Sequence, residues 1–382
     1  MSKVLKTGIL LSILLIQFPL IIPNIIPAVL ATSNDDSSQT MGEQSIIVLL
    51  VEFKDLQHEK SKKEISKAIF GNLNKYVTET SYNKTWITGD ITNWIELPYE
   101  LSFYGRDFAL GVDVDSRRLF CDAVHAVDDS INFKKYKHVV IVHAGYGQET
   151  SGKLSDLWSA YYIFRPPVYA DGLILTKVIV VPEDQAEGKN TLGVYAHEFM
   201  HSLGLPDLYP AKGLKKKHLD MYDVMDGGFK NGKSPGGSSP SHPGAWSKLQ
   251  LGWPVKTRMI YSGSIENVTI WPLEDKSDKI QAVILPSSNG RYYLVEVRQK
   301  SGFDKYLPES GVLITLVNEK LPPQSGMVRV IDANPSTLDL TDATFQVGET
   351  YQDSSKLIKI SILSGSKGFT ILVDRRLSQD VS

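Results

Sequence analysis

The sequence holds a single cysteine, Cys121, in 382 residues. That excludes an intramolecular disulfide framework and any zinc site built from several thiolates. It also lacks an excess of positive charge, since 41 Lys and Arg stand against 43 Asp and Glu for a net charge of −2. A nucleic-acid binder is usually basic, so that partner is set aside. Disorder is excluded by a hydrophobic content of 42%, which is too high for a chain without a core. No segment after Leu30 is apolar enough to span a membrane, and no glutamate occurs from His201 to Ile265.

The one long apolar run is at the start. Lys3 and Lys6 precede Gly8–Leu30, with small residues near Val29 and Ala31. The pattern predicts a secretory signal over residues 1–31. The alternative is an uncleaved membrane anchor through residues 8–30, because the run is long enough to span a bilayer. Pro19, Pro23 and Pro27 work against one continuous spanning helix. Either way the remainder is expected outside the cytoplasm. Residues 32–44 are polar and read as a flexible leader. They contain no cysteine, so a thiolate latch on a metal is excluded there. Asn83-Lys84-Thr85 and Asn267-Val268-Thr269 are acceptor sequons for glycosylation, compatible with export.

Ile46–Val51, Val139–Val142 and Val178–Val181 are short runs that are apolar at every position, as in buried strands. Lys62–Val77 reads as an amphipathic helix through Ile65, Ile69, Leu73 and Val77. Thr85–Leu97 has strand character. Arg117–Asp129 is helical in its spacing, and Cys121 within it is expected to be a buried structural thiol. Strands alternating with helices suggest an α/β or α+β domain over residues 45–255, and α+β is the fold class expected. The texture then changes to short apolar runs separated by Gly, Ser, Asn and Pro, which predicts a β-sandwich-like domain over residues 256–382. Gly227–Gly244, dense in Gly, Ser and Pro, reads as a long surface loop.

The chemistry lies in Gly193–Asp207. His197 and His201 are four residues apart, so a helix sets both imidazoles on one face, where they can share an ion. Glu198 adjoins the first ligand and can reach a water on that ion. A catalytic zinc site needs three protein ligands and one open position. The missing glutamates argue against a third ligand from a downstream glutamate, since the next, Glu266, is already in the β-rich region. The other known pattern breaks the helix with glycine and takes the ligand from the following turn. Gly204 is placed to end the helix, Pro206 stops it from resuming, and Asp207 follows three residues after Gly204. The expected ligands are His197, His201 and Asp207. A purely structural site would need four protein ligands and would not account for Glu198.

His197–Tyr209 resembles the zinc-binding segment of the immune inhibitor A family of secreted metallopeptidases, of the HExxHxxGxxD type. Val142–Gly147, Asp156–Ser159, Tyr222–Gly228, Ala245–Trp253 and Tyr292–Gln299 are similar to further segments of that family. The resemblance runs from about residue 45 to about residue 350. It implies a zincin-like catalytic domain, a mixed sheet plus the helix carrying the motif, and a zinc endopeptidase acting on proteins or peptides. It places Met225 in a turn beneath the metal. It also raises a structural calcium ion, for which Asp113, Asp115, Asp220, Asp223 and Asp226 are candidates, although none forms a recognisable loop. The chain departs from the family at Pro210, at the basic stretch Lys212–His218 and at Asp226, where a small hydroxyl residue is commoner.

In the expected mechanism Glu198 takes the proton of the attacking water and passes it to the leaving amine. Tyr209, Tyr222 and His242 are candidates to stabilise the oxyanion by nearness in sequence, and Thr85–Leu97 is a candidate strand for pairing with substrate. Two other readings stay open: a catalytically silent extracellular binding protein on the same fold, and a zinc hydrolase of a non-peptide bond. Oligomeric state is left open.

Overall fold

Ile46–Val51 is apolar throughout because its strand is covered on both faces, and none of its six residues has measurable exposure. The computed structural model describes residues 37–107, 112–213, 217–288, 290–337 and 339–376. The signal or anchor read from residues 1–31 lies outside the described residues. Strand β1 (Gly42–Glu52) pairs in parallel with β2 (Thr85–Glu96) on one side and with β3 (His138–Tyr146) on the other. Strand β4 (Ala160–Ala170) is antiparallel to β5 (Leu173–Asp184), and β5 is parallel to β3. The order is β2-β1-β3-β5-β4, a mixed sheet with β2 and β4 at its edges. Three of these strands contain the three expected apolar runs. Strand β4 was hidden in the sequence by Pro166 and Pro167, which cannot donate to a ladder and are tolerated because β4 is an edge. The pairing with β5 breaks between Ile163 and Val168, around those prolines.

The helix after β1 runs as Lys62–Ser66, Lys67–Leu73 and Asn74–Thr80, and the middle portion is π-helical. Ser61 and Glu64 form a reciprocal capping box at its start. Ile65, Ile69, Leu73 and Val77 are all buried. Residues four apart drift around an α-helix of 3.6 residues per turn, and the wider π-turn brings them back to one face.

Three expectations are corrected. The leader does not extend to Gln44, because backbone pairing begins at Gly42 opposite Thr85, and buried Gln44 is held by Met41 O and His138. Cys121 is only half-buried. Its helix, Ser116–His125, turns Leu119, Phe120, Ala123 and Val124 to the core and leaves Cys121 beside that stripe. Gly227–Gly244 is not a surface loop, since Gly228, Asn231, Ser239, Ser241 and His242 are buried. Its glycines permit the approach: a Cβ on Gly237 would meet Asn190 O at 2.5 Å.

The rest of the chain is β-rich, as expected. One sheet has the order β11-β10-β9-β8-β6, from β6 (Thr257–Met259), β8 (Ala282–Pro286), β9 (Arg291–Arg298), β10 (Gly311–Asn318) and β11 (Val328–Ile331). The other has the order β12-β13-β14-β7, from β7 (Ile265–Ile270), β12 (Thr350–Asp353), β13 (Ile358–Gly365) and β14 (Phe369–Asp374). Val283, Val295 and Ile314 of the first sheet share one core with Ile270, Ile360 and Ile371 of the second. A separate core, including Ile47, Leu119, Ile141 and Val180, belongs to the first half. From Asp36 onward both cores lie in one compact unit. Among the described residues, no helix is long and apolar enough to cross a membrane.

Ile69 is buried in the π-helical turn that keeps the stripe in register. Ile69→Ala should lower the unfolding free energy by about 2–5 kcal/mol, read from the urea midpoint at constant m-value.

Candidate metal centre

The helix Leu192–Ser202 carries the motif and packs against β4 and β5. Its first turn lies so close to Phe229 that a Cβ on Gly193 would meet Phe229 O at 1.9 Å. His197 and His201 share one face, with ring centroids 4.7 Å apart. The helix ends in a Schellman motif: Gly204 N donates to His201 O and Leu205 N to Met200 O. Gly204 has φ +110°, in the left-handed region that glycine adopts without penalty. The reversal brings Asp207 back onto the helix. Its Oδ1 lies 3.2 Å from His197 Nε2 and 3.1 Å from His201 Nε2. Each of the three residues offers one ligand atom within 4.8 Å of the others.

Both imidazoles are aimed from behind. His197 Nδ1 donates to Val224 O at 2.8 Å, and His201 Nδ1 to Leu205 O at 2.7 Å. A carbonyl only accepts, so each Nδ1 carries a proton, and Nε2 is the ring nitrogen turned toward Asp207. The carbonyl of Val224 belongs to the turn Tyr222–Asp226. Met225 in that turn is fully buried, and its carbonyl accepts from Leu208 N. Asp223 braces the turn by accepting from Met225 N, Gly244 N and Ser247 Oγ. Asp226 accepts from Leu219 N and Asp220 N, so the departure from the family at that position serves the turn. Arg298 of β9, fully buried, donates to Tyr222 O and pairs with Glu274, Glu296 and Asp304.

Glu198 is buried beside the first histidine, and its Oε2 has no hydrogen-bond partner among the described residues. Burial raises its pKa, against the pull of His197 and His201. A buried carboxylate oxygen left unpaired is costly, and this carboxyl is close enough to His197, His201 and Asp207 to feel the charge of each. Two nitrogens and one oxygen also match the ligand chemistry of zinc. The residues present therefore fit a catalytic metal. Burial alone would lower the His201 pKa, but the hydrogen bond and charge of Asp207 raise it to about 9. Asp207 is held well below the usual carboxylate range by the two histidines, against the effect of burial.

Of the oxyanion candidates only Tyr209 is at this centre. Its ring stacks beside His197, and its hydroxyl lies next to Asp207. Tyr222 lines a small cavity with Trp246, Glu296 and Leu313. His242 is buried between Glu79 and Lys248. These two face the junction with the C-terminal sheets, a direction that nearness in sequence does not report. The substrate-strand expectation is corrected as well. Strand β2 is at the edge away from β5 and β4, and the edge strand in contact with the motif helix is β4. The five aspartates considered for calcium do not gather. Asp113 accepts from Trp158 N and Tyr162, Asp115 from Arg106, and Asp220 from Lys217. Sequence reasoning missed the carbonyls of Val224 and Leu205, which have no side-chain signature, and Arg298, which lies far along the chain.

Residues 134–254 match the family described as immune inhibitor A peptidase M6, catalytic domain. Over those residues the chain is similar to the catalytic domain of that metallopeptidase family. It is 28% identical over 262 residues to immune inhibitor A of Bacillus thuringiensis subsp. alesti, covering 51% of this chain and 37% of that protein. It is 24% identical over 268 residues to the pre-pro-metalloprotease PrtV of Vibrio cholerae, covering 60% of this chain and 28% of that protein. A protein of Arthroderma benhamiae named as a secreted metallopeptidase is 26% identical over 48% of this chain and 33% of its own length. The chain thus spans about a third of the length of these curated relatives. Among solved structures, OgpA from Akkermansia muciniphila aligns at TM-score 0.36 with 11% identity, over 76% of this chain and 91% of that one.

The His201–Asp207 pair predicts a pH dependence for protein stripped of metal by a chelator. A histidine pKa raised on folding adds stability that is complete below about pH 6.5 and lost as pH rises through about 9. The unfolding free energy should therefore fall across that window, and Asp207→Asn should flatten the fall. Equal slopes for the two proteins in urea titrations would contradict the pairing.

Proposed function

We propose that this chain is a secreted zinc-dependent endopeptidase in which His197, His201 and Asp207 hold the metal and Glu198 is the general base and acid. The observation that carries the reading is the convergence of two imidazole nitrogens and one carboxylate oxygen beside buried Glu198, whose Oε2 has no partner among the described residues. Zinc bound there would supply a Lewis acid that acidifies water and polarises the scissile carbonyl. Glu198 Oε2 accepts the proton of the attacking water, holds it while the tetrahedral carbon forms, and delivers it to the leaving nitrogen. Its raised pKa suits both halves of that transfer. Tyr209 keeps its proton, since burial and the charge of Asp207 raise its pKa, so its hydroxyl can donate to the developing oxyanion. The edge strand β4 offers backbone groups to an extended peptide.

We read residues 45–255 as a zincin-like catalytic domain and residues 256–382 as a β-sandwich-like domain, on the mixed sheet of the first and the shared core of the two sheets of the second. Export rests on the apolar start of the sequence and on relatives named as secreted or pre-pro proteins. Calcium forms no part of the proposal.

Glu198→Gln should keep one zinc per chain and lose at least about a hundredfold in kcat on an unfolded protein substrate. Phenanthroline should stop cleavage by the parent, and added zinc should restore it. Near-parental turnover in the variant would overturn the role of Glu198.

A further inference from the structure

We infer that Gln324, from the loop between β10 and β11, is a positioning residue that holds Asp207 with Oδ1 toward the two histidines. The inference rests on the reading of His197, His201 and Asp207 as metal ligands. A carboxylate has two equivalent oxygens, and a monodentate ligand works best when the other oxygen is engaged elsewhere. Asp207 Oδ1 faces both Nε2 atoms. Asp207 Oδ2 lies 3.5 Å from Gln324 Nε2 on its other side. A neutral amide suits the task. It orients the carboxylate without cancelling the charge that makes it a ligand.

The separation is at the long end for an amide donor, so what keeps Gln324 in place matters. Its own carbonyl accepts from Ala211 N at 3.0 Å, four residues past Asp207. Pro322 and Pro323 stiffen the loop on one side, and Gly326, at φ +89°, turns it on the other. Val330 N of β11 donates to His218 O, and His218 Nδ1 donates to Leu208 O. Leu208 N in turn donates to Met225 O. The segment that follows Asp207 is therefore tied to the same C-terminal hairpin that presents Gln324. Among the described residues, no other hydrogen bond from the C-terminal half ends on a ligand side chain. This gives the C-terminal half a role in the metal centre itself, by a residue 117 positions from the ligand it orients.

The test compares Gln324→Leu and Gln324→Glu in the full chain. Zinc affinity is measured by competition with a chromophoric chelator, and ligand geometry by the visible absorption of the cobalt-substituted protein. Both variants should bind zinc about ten- to a hundredfold more weakly, with an altered cobalt spectrum and an unchanged urea midpoint for the metal-stripped protein. The loss should be larger for Glu, which keeps the shape of Gln but replaces the donor with a repelling acceptor. Parental zinc affinity and cobalt spectrum in both variants would overturn the inference. So would a loss in the Leu variant alone, which would indicate packing. Asp207→Ala serves as the reference: if it loses zinc while the Gln324 variants do not, only this inference fails, and if it keeps zinc, the ligand reading fails with it.

Discussion

Two backbone carbonyls, those of Val224 and Leu205, fix what this centre can do. Each accepts a hydrogen bond from Nδ1 of one histidine and so turns that ring's Nε2 toward Asp207. Without them, four-residue spacing on a helix would bring the rings together but leave their tautomers and tilt undecided. The two carbonyls come from different devices. Leu205 belongs to the helix's own Schellman ending, which glycine at 204 makes possible. Val224 belongs to a turn that folds back from beyond residue 218. The centre is thus held by one local and one distant constraint.

The distant constraint draws in the rest of the molecule. The turn of Val224 and Met225 is braced by Asp223 against Gly244 and Ser247 and by Arg298 at Tyr222 O. Arg298 has no exposed surface and is surrounded by Glu274, Glu296 and Asp304. Glu296 also accepts from Ala245 N. Breaking a buried pair of this kind by removing one partner costs about 3–5 kcal/mol, because a charge is left uncompensated. The cluster therefore fixes how the β-rich half meets the turn under the histidines.

Much of this was legible in the sequence, and the failures have physical causes. The buried runs in β1, β3 and β5 declared themselves because a doubly covered strand must be apolar throughout. The helix ending at Gly204 declared itself through glycine and proline, whose backbone limits are strict. Strand β4 did not, because its prolines are tolerated only by an edge, and edge status is a property of the sheet. The Gly, Ser and Pro of 227–244 suggested exposure, whereas here small residues let the chain pack against the motif helix. His197, Glu198, His201 and Asp207 were named from spacing, and they converge. Tyr222 and His242 were named from nearness along the chain, and they point elsewhere. What aims the ligands was invisible in advance, since carbonyls carry no residue identity and Arg298 and Gln324 are brought in by topology.

The central claim is that His197, His201 and Asp207 bind one zinc ion. Anomalous diffraction from crystals of the zinc-loaded protein, recorded on both sides of the zinc absorption edge, tests it most directly. The account predicts a single peak coordinated by His197 Nε2, His201 Nε2 and Asp207 Oδ1, with Glu198 outside the ligand set. A peak elsewhere, or one in which Asp207 is replaced by another residue, would contradict it.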